Sequence, residues 1–134
     1  MTALATRAVL GAIGFMLLDG LWLGVVMKTF YRDQLAPIAR LSNGGFAPNW
    51  PAAFAVYACL GAGIAIFVAP RATDAVSAVT FGALFGLVVY GVYDFTNFST
   101  LRQYPLALAL VDAAWGTTAS ALCSLIVWAL VRVR

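Results

Sequence analysis

The chain has 134 residues, 63% apolar and 10% charged, with a net charge of +3 and a mean hydropathy of +0.95. A soluble domain carries about 25% charged residues and a disordered chain is poor in apolar ones, so both classes are excluded and a bilayer is the required solvent. The absence of His and Glu also removes His-based triads, His-rich zinc sites and Glu-based carboxylate pairs.

The first apolar run, residues 8–27, is closed by Lys28. It contains Asp19 and has no small-residue cleavage site before Lys28, so it is read as a membrane span and not as a cleaved signal. In the loop from Lys28 to Asn49, Tyr31, Leu35 and Ile38 share a helical face, with Lys28 and Arg32 on another. This pattern fits a short interfacial helix limited by Pro37, with a plain linker as the alternative. Ser42-Asn43-Gly44-Gly45 reads as a flexible turn.

A second run covers 50–69, with Asn49 as its cap, Trp50 at the interface and Pro51 in the first turn; Pro70 and Arg71 end it. The third covers 75–98, and Arg102, Tyr104 and Pro105 separate it from the fourth, 107–131, which Arg132 and Arg134 end. Each run is long enough for a helix to cross ~30 Å of hydrocarbon. A barrel would show alternating strands of ~10 residues instead. The expected fold is all-α: one polytopic transmembrane domain, a bundle of four helices with both termini on one side.

Call the side of the termini side A and the side of the first and third loops side B. Side A carries Arg7, Arg71, Arg132 and Arg134, and side B carries Lys28, Arg32, Arg40 and Arg102. The equal counts leave orientation open. Basic residues at the ends of apolar runs anchor a chain at lipid head groups, so the bilayer is the expected partner and nucleic acid is not.

Three of the thirteen charged residues lie within spans: Asp19, Asp94 and Asp112. A charge at the bilayer centre costs at least ~2.5–3.5 kcal/mol on insertion scales, so each is informative. Counting ~1.5 Å per residue puts them about 12, 7 and 8 Å below the side-B surface, in one half of the bilayer. Tyr90, Asp94 and Asn97 fall at i, i+4 and i+7, and Tyr93 and Asn97 at i and i+4, so each set shares a helix face. Trp22 follows Asp19 by one turn and Trp115 follows Asp112 by one turn, a short echo of Asp-x-x-Trp in spans one and four. Trp N–H and Tyr O–H are the donors a buried carboxylate needs.

Ala78, Gly82, Gly86, Tyr90 and Asp94 form an i+4 row, small toward side A and polar toward side B. Gly82-x-x-x-Gly86 and Gly20-x-x-x-Gly24 are small-xxx-small patterns, and Gly116, Ser120 and Ser124 offer a matching surface on span four. The expected bundle is tight near side A and splayed around a polar cavity near side B. Cys59 and Cys123 sit at different depths, so packing is expected of them and not a disulfide.

Tyr90-Gly-Val-Tyr-Asp-Phe-Thr-Asn-Phe-Ser-Thr-Leu-Arg102, with Pro105-Leu and Val111-Asp-Ala-Ala-Trp-Gly-Thr117, resembles a bacterial family of small, predicted four-helix membrane proteins of unknown function. Leu18-Asp-Gly-Leu-Trp-Leu-Gly24, Phe30-Tyr-Arg32 and Trp50-Pro-Ala52 extend the resemblance over nearly the whole chain. It implies a multi-pass protein of the bacterial inner membrane and implies no activity.

The candidate ligand-binding or proton-exchange residues are therefore Asp19, Trp22, Tyr90, Tyr93, Asp94, Asn97, Asp112 and Trp115. The leading functional reading is binding or translocation of a small cationic, protonatable or lipophilic ligand in the side-B cavity, with a homodimer as the assembly that translocation would need. A membrane-embedded enzyme acting on a lipid or isoprenoid is the second reading, and a subunit whose polar residues only join helices is the third. No cofactor and no metal are expected.

Overall fold

The computed structural model describes residues 2–132; Met1, Val133 and Arg134 are not described, nor is the side chain of Arg132. The anchoring roles expected of Arg132 and Arg134 thus lie outside the described residues. α1 runs Ala3–Leu21 and continues as a π-helical turn, Trp22–Val26. It starts five residues before the expected boundary, because the Thr2 side chain caps it by accepting from the Ala5 N–H at 3.3 Å. Arg7 interrupts the apolar run but not the helix, since a long basic side chain near a helix end reaches the interface.

After Met27 the chain forms α2, Lys28–Leu35, which ends two residues before Pro37. A two-residue hairpin follows, β1 (Leu41–Ser42) against β2 (Gly45–Phe46), the one departure from an all-α chain among the described residues. Its turn residues, Asn43 and Gly44, have φ of 50° and 74°. That left-handed pair suits Asn-Gly and matches the twist of the strands, so the segment read as a flexible turn has a defined shape.

α3 runs Trp50–Gly63, capped by Asn49 Oδ1, which accepts from the Ala52 N–H at 3.2 Å. It continues through a second π-helical turn, Ile64–Val68, and a 3-10 turn, Ala69–Arg71. α4 (Ala75–Thr100) opens on a capping box in which Asp74 and Ser77 satisfy each other's backbone N–H. α5 runs Leu106–Arg132. The four expected spans are present: Ala3–Val26, Trp50–Arg71, Ala75–Thr100 and Leu106–Val131, each long and apolar enough to cross a membrane. Arg7 of α1, Thr73 of the second loop and Val131 of α5 line one cavity, which brings the two chain ends and that loop to the same end of the bundle.

Close approach depends on small residues. A Cβ at Gly61 of α3 would overlap the Ala8 carbonyl of α1, and a Cβ at Gly86 of α4 would overlap the Gly116 carbonyl and Ser120 of α5. The Gly82-x-x-x-Gly86 pattern is therefore a true helix contact. Gly20 and Gly24 have nothing within 4 Å of the position a Cβ would take. This second pattern faces outward: Gly20 is one residue past the buried Asp19, about 100° around α1, and Gly24 is exposed within the π turn. The main core joins Phe15, Leu60, Ile64, Val68, Ala119, Cys123 and Val127. Cys123 is buried and Cys59 exposed, both as free thiols.

Candidate functional site

The three intramembrane carboxyl groups come together at the side-B end, each with a donor supplied by another segment. Trp115 Nε1 donates to Asp19 Oδ1 at 2.8 Å. The Tyr31 hydroxyl donates to Asp112 Oδ1 at 2.6 Å and accepts from Trp22 Nε1 at 3.2 Å. The Tyr104 hydroxyl donates to Asp94 Oδ1 at 2.5 Å. The short O–H···O distances are those of charge-assisted hydrogen bonds.

The echo between spans one and four acquires a geometric meaning here. The two Asp-x-x-Trp segments run antiparallel and are cross-paired: the tryptophan of span four serves the aspartate of span one. In return, the tryptophan of span one serves the aspartate of span four through Tyr31. Between them the Trp22 and Trp115 rings stack with centroids 4.3 Å apart and planes 2° from parallel. The π turn helps to create this arrangement. Its Met27 N–H bonds to the Trp22 carbonyl at 2.7 Å, and Met27 leaves the helical region with φ −115° and ψ 18°. The chain then turns into α2 and carries Tyr31 back over α5.

Asp94 is fully buried, Asp19 nearly so at 8% exposure, and Asp112 half-buried. The Asp94 and Asp112 carboxyls are electrostatic neighbours, and Asp94 Oδ2 has no hydrogen-bond donor among the described residues. Asp94 Oδ2 is thus an acceptor left unanswered beside a second carboxyl. Outside the spans, burial and the neighbouring carboxylates hold the Tyr31 and Tyr104 hydroxyls well above the usual phenol range, so both stay donors.

The remaining candidates divide. Tyr90 is half-buried against Gly116, within electrostatic range of Asp19 and Asp112. Tyr93 is 59% exposed, still within electrostatic range of Asp112 and Asp94, and has the half-buried Asn97 as a neighbour. A single residue step, about 100° around the helix, thus separates the face that carries Asp94 from the face that carries Tyr93.

Sequence reasoning left three tyrosines out of the site. Tyr31 was placed on an interfacial face, yet it is 3% exposed and packs with Tyr104, Leu108 and Ala109. Tyr104 was read only as a boundary marker. Tyr57, half-buried on the second span, approaches Asp19. The available signal was arithmetic: three buried carboxyls require more donors than two tryptophans supply. The polar end is accordingly filled by Tyr31 and Tyr104 and is not splayed open as expected. A cavity of about 260 Å³ lies instead at the side-A end. Among the described residues no group of three or more His, Cys, Asp or Glu side chains is arranged to hold a metal ion.

Four apolar helices and a polar cluster buried between their ends define a helical, multi-pass membrane protein. Residues 4–129 match the family described as a predicted membrane protein, DUF2177, and the chain belongs to that family. No curated protein and no solved structure matches it.

Proposed function

We propose that the protein binds one proton or one small organic cation at Asp94 and Asp112, in exchange with the side-B surface. The observation that carries this reading is Asp94 Oδ2, an acceptor oxygen of a fully buried carboxyl group, with no donor among the described residues and a second carboxyl beside it. Such a pair has unmet affinity for a positive charge, and in a low-dielectric surrounding that affinity is strong. Asp112, half-buried, is the member through which the charge would enter. Tyr31, held on α2 beyond a π turn, is the gate: if α2 lifts, Asp112 loses its donor and opens to side B. Trp22 and Trp115, stacked on each other, leave their outer faces for an organic cation, and Asp19 supplies a third carboxyl held by Trp115. Translocation would need a second state, and a homodimer is the assembly we propose for it. The resemblance to bacterial proteins and the continuous apolar helices support placement in a bacterial inner membrane.

The test uses tetramethylammonium as the probe, with the protein in nanodiscs. Binding should weaken as the pH falls, because protons compete for the same carboxyl pair. It should be lost in Asp94→Asn and unchanged in Asp33→Asn, whose side chain is exposed and paired with Arg32. Binding that ignores both pH and Asp94→Asn would overturn the proposal.

A further inference from the structure

The geometry points to a second binding site, at the opposite end of the bundle, for one anionic amphiphile: an acidic head group on Arg7 and an acyl chain in the cavity behind it. The cavity of about 260 Å³ lies between α1, the π turn of the second span and α5. Its volume is just under the usual range for small-molecule pockets, about 300–1,000 Å³. Its walls change character with depth. Ile64, Val68 and Val127 line it and are each at most 2% exposed, so it reaches the main core of the bundle. Arg7 and Thr73 line it from the side-A helix ends.

Arg7 is what makes this more than a surface depression. It is half-buried, four residues into α1, and has no ion pair or hydrogen bond among the described residues. The other described side-A basic residue, Arg71, bonds to the Phe67 carbonyl at 2.6 Å. The acidic residue of the second loop, Asp74, is committed to the α4 capping box. Ser124 also lines the cavity, its hydroxyl donating to the Ser120 carbonyl at 2.7 Å. A guanidinium at head-group depth with largely apolar walls behind it matches a phosphate or carboxylate that carries a hydrocarbon tail. The second span contributes through its π turn, a distortion that recurs at functional sites. It directs Ile64 and Val68 inward where the helix meets the cavity. This site does not depend on the carboxyl cluster, and no residue is shared between the two.

Native mass spectrometry of the detergent-purified protein tests it, with phosphatidylglycerol, phosphatidylcholine, palmitate and inorganic phosphate offered in separate arms. We expect one retained phosphatidylglycerol or palmitate per chain, preferred on the order of tenfold over phosphatidylcholine. The arm that binds separates a lipid head group from a free carboxylate. Arg7→Gln should remove the preference, and Arg7→Lys should keep most of it. Arg7 lies near a helix end, outside the core, so Arg7→Gln leaves the bundle intact. Val68→Phe should lower retention by filling the cavity. Equal retention of phosphatidylcholine, an unaltered preference in Arg7→Gln, or binding of inorganic phosphate alone would overturn the site.

Discussion

Replacing Tyr31 with Phe removes one oxygen atom and breaks two hydrogen bonds. The hydroxyl donates to Asp112 at 2.6 Å and accepts from Trp22 at 3.2 Å. A hydrogen bond to a charged group is worth about 1.5–3 kcal/mol in soluble proteins. Inside membrane proteins, coupling energies average about 0.6 and reach about 1.7 kcal/mol, because the unfolded chain also finds partners in the bilayer. The Trp22 bond is at the long end of the N–H···O range and adds little. The ring itself remains, so burial against Tyr104 and Leu108 is retained. We therefore expect Tyr31→Phe to cost about 1–2 kcal/mol. The assay is a denaturant titration in detergent, followed by the fluorescence of the stacked Trp22 and Trp115. A double-mutant cycle with Asp112→Asn should return a coupling of about 0.6–1.7 kcal/mol. Tyr93→Phe, at a site 59% exposed, should change stability by less than about 0.5 kcal/mol. Additivity of Tyr31→Phe and Asp112→Asn within about 0.3 kcal/mol would refute the assignment of Tyr31 to the site.

Two further outcomes are expected. Gly86→Ala forces α4 and α5 apart, because the new Cβ meets the Gly116 carbonyl and Ser120, and should lower stability by about 1–3 kcal/mol; Gly20→Ala, with open space around it, should be neutral or stabilising by up to about 1 kcal/mol, and thermal unfolding of the two side by side checks the contrast. The Asp74 carboxyl is held below its usual value of 3.8 by the Ser77 backbone and hydroxyl, so its contribution to the start of α4 is fully present above that value and is lost as the pH falls through the lower, folded one; the protection of the Ser77 amide, measured against its intrinsic exchange rate, should fall in that acid window, and Asp74→Asn should remove this change in protection.

Much of the architecture was legible because the bilayer imposes a simple code. Apolar runs of the right length gave four spans, and Asn49 and Pro51 marked the start of the second. The i+4 row from Ala78 to Asp94 marked the buried face of α4: Ala78, Gly82, Gly86 and Asp94 are all buried. The three aspartates were recognisable because a buried charge must be answered. Their donors were harder to see, because a tyrosine near a span end is ordinarily an interface anchor. Only the turn after Met27 brings Tyr31 inward. The π turns were illegible for a related reason. They leave hydropathy unchanged while rotating everything after them. The Gly20 and Gly24 pattern fails for a plainer reason: Gly20 stands beside Asp19, off the buried face of α1. Tyr93 and Asn97 show the limit of helical arithmetic: an i+4 pair fixes a shared face without saying whether that face turns inward.

The cross-pairing of spans one and four has a consequence for the birth of the molecule. Asp19 waits for a donor 96 residues further along the chain, whereas the donor of Asp112 is already made, 81 residues earlier. At synthesis rates of about 5–20 residues per second, the wait for Trp115 is on the order of 5–20 s. Throughout that interval the first span lacks its Trp115 donor, and Tyr57 of the second span is the partner of Asp19 that is made sooner. The last helix to be made is the one that completes the setting of the first.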